Sequence, residues 1–225
     1  MWKQKQFILL AMLVVFINLS CQEPIENEDS FYPYWHQRTS LFKALPNYTD
    51  EIVFLGDSIT DGCNWSEMFQ DKRIINRGIN GDQTMGVLSR LDEVIESKPV
   101  KIFLMIGIND LADGKIKEEI VYNIKQIVKI IHKESPDTQI FLQSLLPVNK
   151  DFGHFKNHTN KTEQIIRINR ALKNFSTTND ITYIDLYSLF VTKDNKLNPD
   201  HTNDGLHLTG SGYLLWKSAV SKYIS

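Results

Sequence analysis

The stretch Ile52-Val-Phe-Leu-Gly-Asp-Ser-Ile-Thr-Asp-Gly62 decides the fold. Four apolar residues, Ile52 to Leu55, run without interruption into Gly56-Asp57-Ser58 and a polar segment ending on Gly62. A continuous apolar run bounded by turn residues predicts a strand buried on both faces, the habit of parallel sheets. Ser58 then stands at the carboxyl end of that strand, the edge where open α/β sheets place their ligands. The small Gly56 lets backbone N–H groups of the turn point at a bound group. A capping serine in an ordinary strand-to-helix turn reads the same way, so the rest of the chain has to decide.

Beyond Gly62 apolar runs alternate with helical periodicity. Strands are expected at Arg73 to Ile75, Lys101 to Ile106, Ile140 to Leu146 and Thr182 to Leu186. Helices are expected at 64–69, Met85 to Glu96, Glu118 to Lys133, Glu163 to Phe175 and Gly212 to Tyr223. In the third of these, Ile120, Ile124, Ile127, Val128 and Ile131 share one face and Pro136 lies just past the end. Before the first strand, Phe31 to Leu45 reads as an aromatic-rich helix stopped by Pro46, its rings packing in the core, with the lining of a substrate groove as the alternative. Strands alternating with helices imply a parallel sheet covered on both faces. The prediction is one three-layer α/β/α sandwich over residues 31–225 with a five-stranded parallel sheet. A strand order of 2-1-3-4-5 suits this pattern, although periodicity does not dictate it.

Each unusual polar cluster falls just after a strand, and in a parallel sheet those positions share one rim. Ser58 follows the first strand, Gly81 the second and Asn109 the third, while Asp204-Gly-Leu-His207 precedes the last helix. The residue types fit acyl transfer. A serine hydroxyl needs a base to take its proton, and the imidazole of His207 can accept and return one near neutral pH. Asp204 can hold the other ring nitrogen. Backbone N–H groups at Ser58 and Gly81, with the Asn109 amide, can surround an oxyanion.

These blocks resemble those of the SGNH hydrolase superfamily, also called GDSL esterases. Gly56-Asp57-Ser58-Ile59 is similar to the first block, with Ile where the name-giving motif has Leu. The segment 76–84 is similar to the second, Gly107-Ile-Asn109-Asp110 to the third and Asp204-Gly-Leu-His207 to the fifth. The resemblance covers nearly all of the chain after residue 30. It implies the flavodoxin-like SGNH hydrolase fold, Ser58 as nucleophile, Ser58, Gly81 and Asn109 as the oxyanion hole, and Asp204 and His207 completing the triad. The G-x-S-x-G elbow of the other serine-hydrolase fold is missing, since residue 60 is Thr. The subgroup it most resembles contains acetylesterases similar to platelet-activating-factor acetylhydrolase, which implies short acyl esters, with O-acetylated carbohydrate as the expected substrate. A lipid esterase or thioesterase with a longer acyl pocket is the alternative among enzymes. An inactive carbohydrate-binding homologue is the alternative outside them.

The first twenty residues read as an export signal. Two lysines precede an eleven-residue apolar run, Phe7 to Ile17, too short to span a bilayer. The run ends in Asn18-Leu19-Ser20-Cys21, which resembles a bacterial lipobox with Asn18 where Leu is usual. The expectation is a signal peptide at 1–20, lipidation of Cys21, a polar tether at 21–30, and an exported protein anchored in the cell envelope by its lipid.

Composition closes off other classes. A net charge of −2 with interspersed signs offers no basic stripe for nucleic acid. Two cysteines, Cys21 and Cys63, exclude a disulfide scaffold, and Cys63 reads as a small buried hydrophobe. His154 and His158 lie four apart in the polar loop 149–160, but zinc sites need three or four ligands, so no metal and no cofactor is expected. On the substrate rim these two histidines have a further reading as substrate contacts. His201 precedes Asp204 and competes with His207 for the role of base only by proximity. His36 and His132 read as helix-surface residues, and Asp57, Asp82 and Asp110 as groups that orient the turns. Arg77 and Arg90 read as surface or salt-bridge residues.

Overall fold

The computed structural model describes residues 31–179 and 181–224. The expectations for the signal peptide, Cys21 and the tether therefore lie outside the described residues.

Five parallel strands form one sheet in the order β2-β1-β3-β4-β5. They are β1 (Ile52–Gly56), β2 (Ile74–Gly78), β3 (Lys101–Met105), β4 (Gln139–Gln143) and β5 (Thr182–Ile184). Every residue of β1 is buried, as a central strand requires. Helices cover both faces, and one face carries an aromatic ladder. Phe54, Phe103 and Phe141 are direct neighbours across β1, β3 and β4, with ring centroids 4.8 and 4.6 Å apart. Trp65 of α3 (Trp65–Phe69) stacks on Phe54 at 3.9 Å. Trp216 of α11 (Gly210–Val220) meets Trp65 edge-on at 4.9 Å and donates its indole N–H to Gln143 Oε1 at 2.7 Å. Each such aromatic pair contributes about 0.5–1.5 kcal/mol beyond its buried area. The ladder thereby fixes α3 and α11, which flank the Ser58 turn and follow His207.

The long amphipathic helices are α7 (Lys117–Glu134) and α9 (Thr162–Thr178). In α7 the five expected isoleucine and valine positions are all buried, and Glu118 and Glu119 near its start and His132 and Lys133 near its end complement the helix dipole. The aromatic-rich segment forms α1 (Pro33–Ala44), where Trp35 and Phe42 build a small second core with Ile79.

Three of the expected boundaries that move do so for a polar reason. β2 continues through Asn76-Arg77-Gly78, which pair with Phe54-Leu55-Gly56. Its polarity hid this: Asn76 caps the turn after β1, and Arg77 is buried against Glu93 at 2.6 Å. The expected helix 85–96 is two helices, α4 (Thr84–Ser89) and α5 (Leu91–Ile95), broken where Arg90 turns into the core. Strand β4 stops at Gln143 because the Leu145 backbone pairs with the side-chain amide of Asn169 instead, at 2.8 and 2.9 Å.

Candidate active site

Ser58 opens the one-turn helix α2 (Ser58–Asp61) directly after β1. Asp57 caps it, its Oδ1 accepting the Ile59 N–H at 3.0 Å. Apart from Ser58 O, which accepts the Gly62 N–H, so short a helix leaves its carbonyls without internal partners. They are met from outside: Tyr213 Oη donates to Ile59 O at 2.9 Å, Trp65 Nε1 to Thr60 O at 2.9 Å and Asn76 Nδ2 to Asp61 O at 3.0 Å. The nucleophile turn is thus held by β2, α3 and α11 as well as by its own bonds, Asp61 N–H to Asp57 O at 2.8 Å and Gly62 N–H to Ser58 O at 3.0 Å.

The structure brings Ser58, His207 and Asp204 into one relay. Ser58 Oγ lies 3.1 Å from His207 Nε2, and His207 Nδ1 lies 2.7 Å from Asp204 Oδ2. Asp204 is ionised, so Nδ1 carries the proton and Nε2 is left to accept from the serine hydroxyl. Burial pulls the Asp204 carboxyl upward, but the Leu206 N–H, the His207 ring and the His207 N–H together hold it below the usual carboxylate range. The loop that carries the pair depends on Gly205 at φ +84°, where an added Cβ would come within 2.0 Å of Asn149 O. His201 is turned away, with Nδ1 3.2 Å from Ser211 Oγ, and has no place in the relay.

Gly81 and Asn109 flank Ser58, because β2 and β3 flank β1. Residues 79–82 form a turn closed by the Asp82 N–H on Ile79 O at 3.0 Å, with Gly81 at φ +80° in the position where such turns favour glycine. The Gly81 N–H is not the donor that closes the turn, and the Ser58 N–H belongs to a first helical turn, which has no internal acceptor. Asn109 lies in α6 (Ile108–Ala112) and donates from Nδ2 to Asp82 O at 2.8 Å.

The three aspartates tie these turns down. Asp82 accepts from Trp35 Nε1 at 3.1 Å and pairs with the fully buried Arg90 at 2.8 Å. Arg90 also donates to Arg77 O at 2.8 Å, so this arginine is a core strut rather than a surface residue. Asp110 accepts the Thr84 hydroxyl at 2.5 Å, and burial pushes it up to about 6. Sequence reasoning placed the α1 aromatics in the core, but Tyr32 reaches the site. Its hydroxyl donates to Asn80 O and lies 3.0 Å from where a Cβ on residue 81 would stand.

Two further residues were named in the sequence without this role or not at all. His158, on α8 (Lys156–Thr159), places Nε2 3.0 Å from Asn109 Oδ1. Phe155 sets its exposed ring 4.9 Å from the His207 ring. Among the described residues no group of three or more His, Cys, Asp or Glu side chains is placed to hold a metal ion. Next to these turns lies a small, mainly apolar pocket. Ile59, Ile108 and Leu206, the sequence neighbours of Ser58, Asn109 and His207, line it with Met105 and Leu145.

Asp57 also faces this pocket, and its Oδ2 has no hydrogen-bond partner. Burial pushes its carboxyl from 3.8 up to about 7. The folded chain therefore holds this proton more tightly than the unfolded chain, and stability drains away as pH rises between those two values. Asp57→Asn is neutral throughout. Its melting temperature should gain on the wild type from pH 4 to pH 7 and run parallel above. A difference independent of pH would mean that Asp57 titrates normally.

Comparison with known proteins bears on the family and the fold. The model of the GDSL-like Lipase/Acylhydrolase family matches residues 54–215. The chain is 29% identical over 169 residues to platelet-activating factor acetylhydrolase IB subunit alpha2 of Rattus norvegicus and of Homo sapiens, covering 72% of this chain and 71% of each relative. A Streptococcus pneumonia structure described as a platelet activating factor is 26% identical with a TM-score of 0.79, over 85% of this chain and 93% of its own. An acetyl xylan esterase shares the fold at 19% identity and a TM-score of 0.64, over 78% of this chain and 100% of its own.

Proposed function

Since this chain belongs to the GDSL-like lipase/acylhydrolase family and is a carboxylic-ester hydrolase, we propose that it removes short acyl groups, acetyl above all, from the hydroxyls of carbohydrate by way of an acyl-enzyme on Ser58. The observation that carries this reading is the hydrogen-bonded line Ser58 Oγ, His207 Nε2, His207 Nδ1, Asp204 Oδ2. Ser58 Oγ attacks the ester carbonyl while His207 takes its proton, and Asp204 steadies the imidazolium. The oxyanion is received by the Ser58 and Gly81 N–H groups and the free Asn109 amide hydrogen. Collapse expels the alcohol with the proton from His207, and water then hydrolyses the acyl-Ser58 ester by the same route.

One feature supports a short acyl group. The curated relatives are named for removing acetyl, and so is the esterase of similar fold. A hydroxylated alcohol is supported by the rim, where His154, Lys156 and Asn157 are exposed around Phe155.

The test is a p-nitrophenyl ester series from acetate to decanoate, followed by acetate release from acetylated xylan. A buried methylene is worth about 0.8 kcal/mol, so a deep pocket would show kcat/KM climbing with chain length. The expected result is a maximum at two to four carbons, a steep fall beyond, and release of acetate from the glycan. A maximum at eight carbons or more without glycan deacetylation would replace this reading with a lipid esterase.

A further inference from the structure

We infer that His158 is a positioning residue that clamps the Asn109 side chain in its oxyanion-binding orientation, an inference that rests on the reading of Asn109 as an oxyanion donor. The Asn109 amide has one acceptor oxygen and two donor hydrogens. Asp82 O can only accept, so the group 2.8 Å away must be Nδ2, and this fixes which way the amide faces. Oδ1 is then the atom 3.0 Å from His158 Nε2. Oδ1 can only accept, so Nε2 carries the hydrogen. Asn109 is therefore gripped at both ends, with one amide hydrogen left uncommitted for the substrate. Donation into Oδ1 also polarises the amide and strengthens its remaining N–H as a donor.

The local backbone is built to deliver this ring. Phe155, which precedes α8, sits at φ 46° and ψ 47°, a left-handed conformation that bulky residues rarely adopt. Thr159 Oγ1 holds the turn by donating to His154 O at 3.1 Å. The Phe155 ring meets the edge of His158 at 6.0 Å and of His207 at 4.9 Å. Strain of this kind persists where surrounding contacts over-determine it, and it gathers at functional sites. Burial, with His207 and Lys161 outweighing Asp113, holds the His158 ring below the usual imidazole range. A neutral ring with its hydrogen on Nε2 matches what Asn109 needs.

The test compares His158→Leu, which removes the donor at similar bulk, with His158→Gln, whose amide N–H falls near the Nε2 position. Both are assayed with p-nitrophenyl acetate as full-length protein, with His158→Ala as a second donor-free variant. His158→Leu should lower kcat about tenfold, less than the 10²–10³ for losing an oxyanion donor outright, and move KM less than about twofold. His158→Gln should recover to within about threefold of the wild type. In an Asn109→Ala background, His158→Leu should have no further effect, because the two act as one unit. Unchanged kcat in His158→Leu, equal loss in the Gln and Leu variants, or a loss that adds to Asn109→Ala would each overturn the inference. If Asn109→Ala lowers kcat while His158→Leu does not, this inference fails and the oxyanion reading stands. If Asn109→Ala leaves kcat intact, both fall.

Discussion

Ser58→Ala is expected to lower kcat for p-nitrophenyl acetate by about 10⁶-fold, the scale seen when a serine nucleophile is removed from a triad. The size follows from what stays behind. An oxyanion hole and a binding pocket without a nucleophile retain only a residual advantage over water. The fold should not notice the change. The Ser58 turn is held by Asp57, Trp65, Asn76 and Tyr213, and among the described residues the serine hydroxyl is bonded to His207 alone. The melting temperature should therefore stay within a few degrees of the wild type. His207→Ala should lose a similar amount, and the double variant little more than either, since the groups act together. The check is steady-state kinetics referred to total folded protein, with circular dichroism confirming the fold, on freshly purified variants. Activity within tenfold of the wild type in either single variant would remove Ser58 or His207 from the chemistry and leave the pocket as a binding site only.

The sequence showed the nucleophile strand plainly because β1 is central and fully buried, so its residues are selected for apolarity alone. It concealed the last three residues of β2 because each has a second task. Asn76 serves carbonyls of the turn after β1, Arg77 neutralises Glu93, and Gly78 pairs with Gly56 beneath the nucleophile turn. The break at Arg90 was hidden for the opposite reason. Its neighbours keep helical spacing, while the arginine abandons the helix to reach Asp82 and Arg77 O. The candidate residues Ser58, Gly81, Asn109 and His207 were legible because parallel topology sends every strand end to one rim. Phe155 was not, and His158 was legible only as a residue of the substrate-side loop. Their positions depend on a left-handed turn at a non-glycine residue and on a contact across 49 positions of sequence. Neither leaves a periodic or compositional trace. Trp35 shows the same limit: it is the core residue expected, and its indole N–H also reaches Asp82. An aromatic pattern records the burial and not the hydrogen bond.

Asn109→Ala is expected to lower kcat by about 10²–10³, the usual loss for one oxyanion donor, and to change KM far less. The distinction matters because the side chain also has a structural task. Removing it takes the donor from Asp82 O and the acceptor from His158. A buried carbonyl left unsatisfied costs about 1–3 kcal/mol, so the variant should melt at a lower temperature. That loss alone cannot mimic the kinetic effect. Against a typical stability of about 5–15 kcal/mol, it leaves nearly all molecules folded at 25 °C, and an unfolded fraction would lower the active-site titre rather than kcat per titrated site. Asn109→Asp sharpens the comparison. It keeps the shape of the side chain but replaces the donor with a carboxylate facing the developing negative charge, so its kcat should fall below that of Asn109→Ala. Kinetics at 25 °C, referred to active sites titrated with a fluorophosphonate, measure both variants. Should the loss fall in KM with kcat preserved, Asn109 would be holding the ground-state ester, and the oxyanion would have to be met by the Ser58 and Gly81 N–H groups alone.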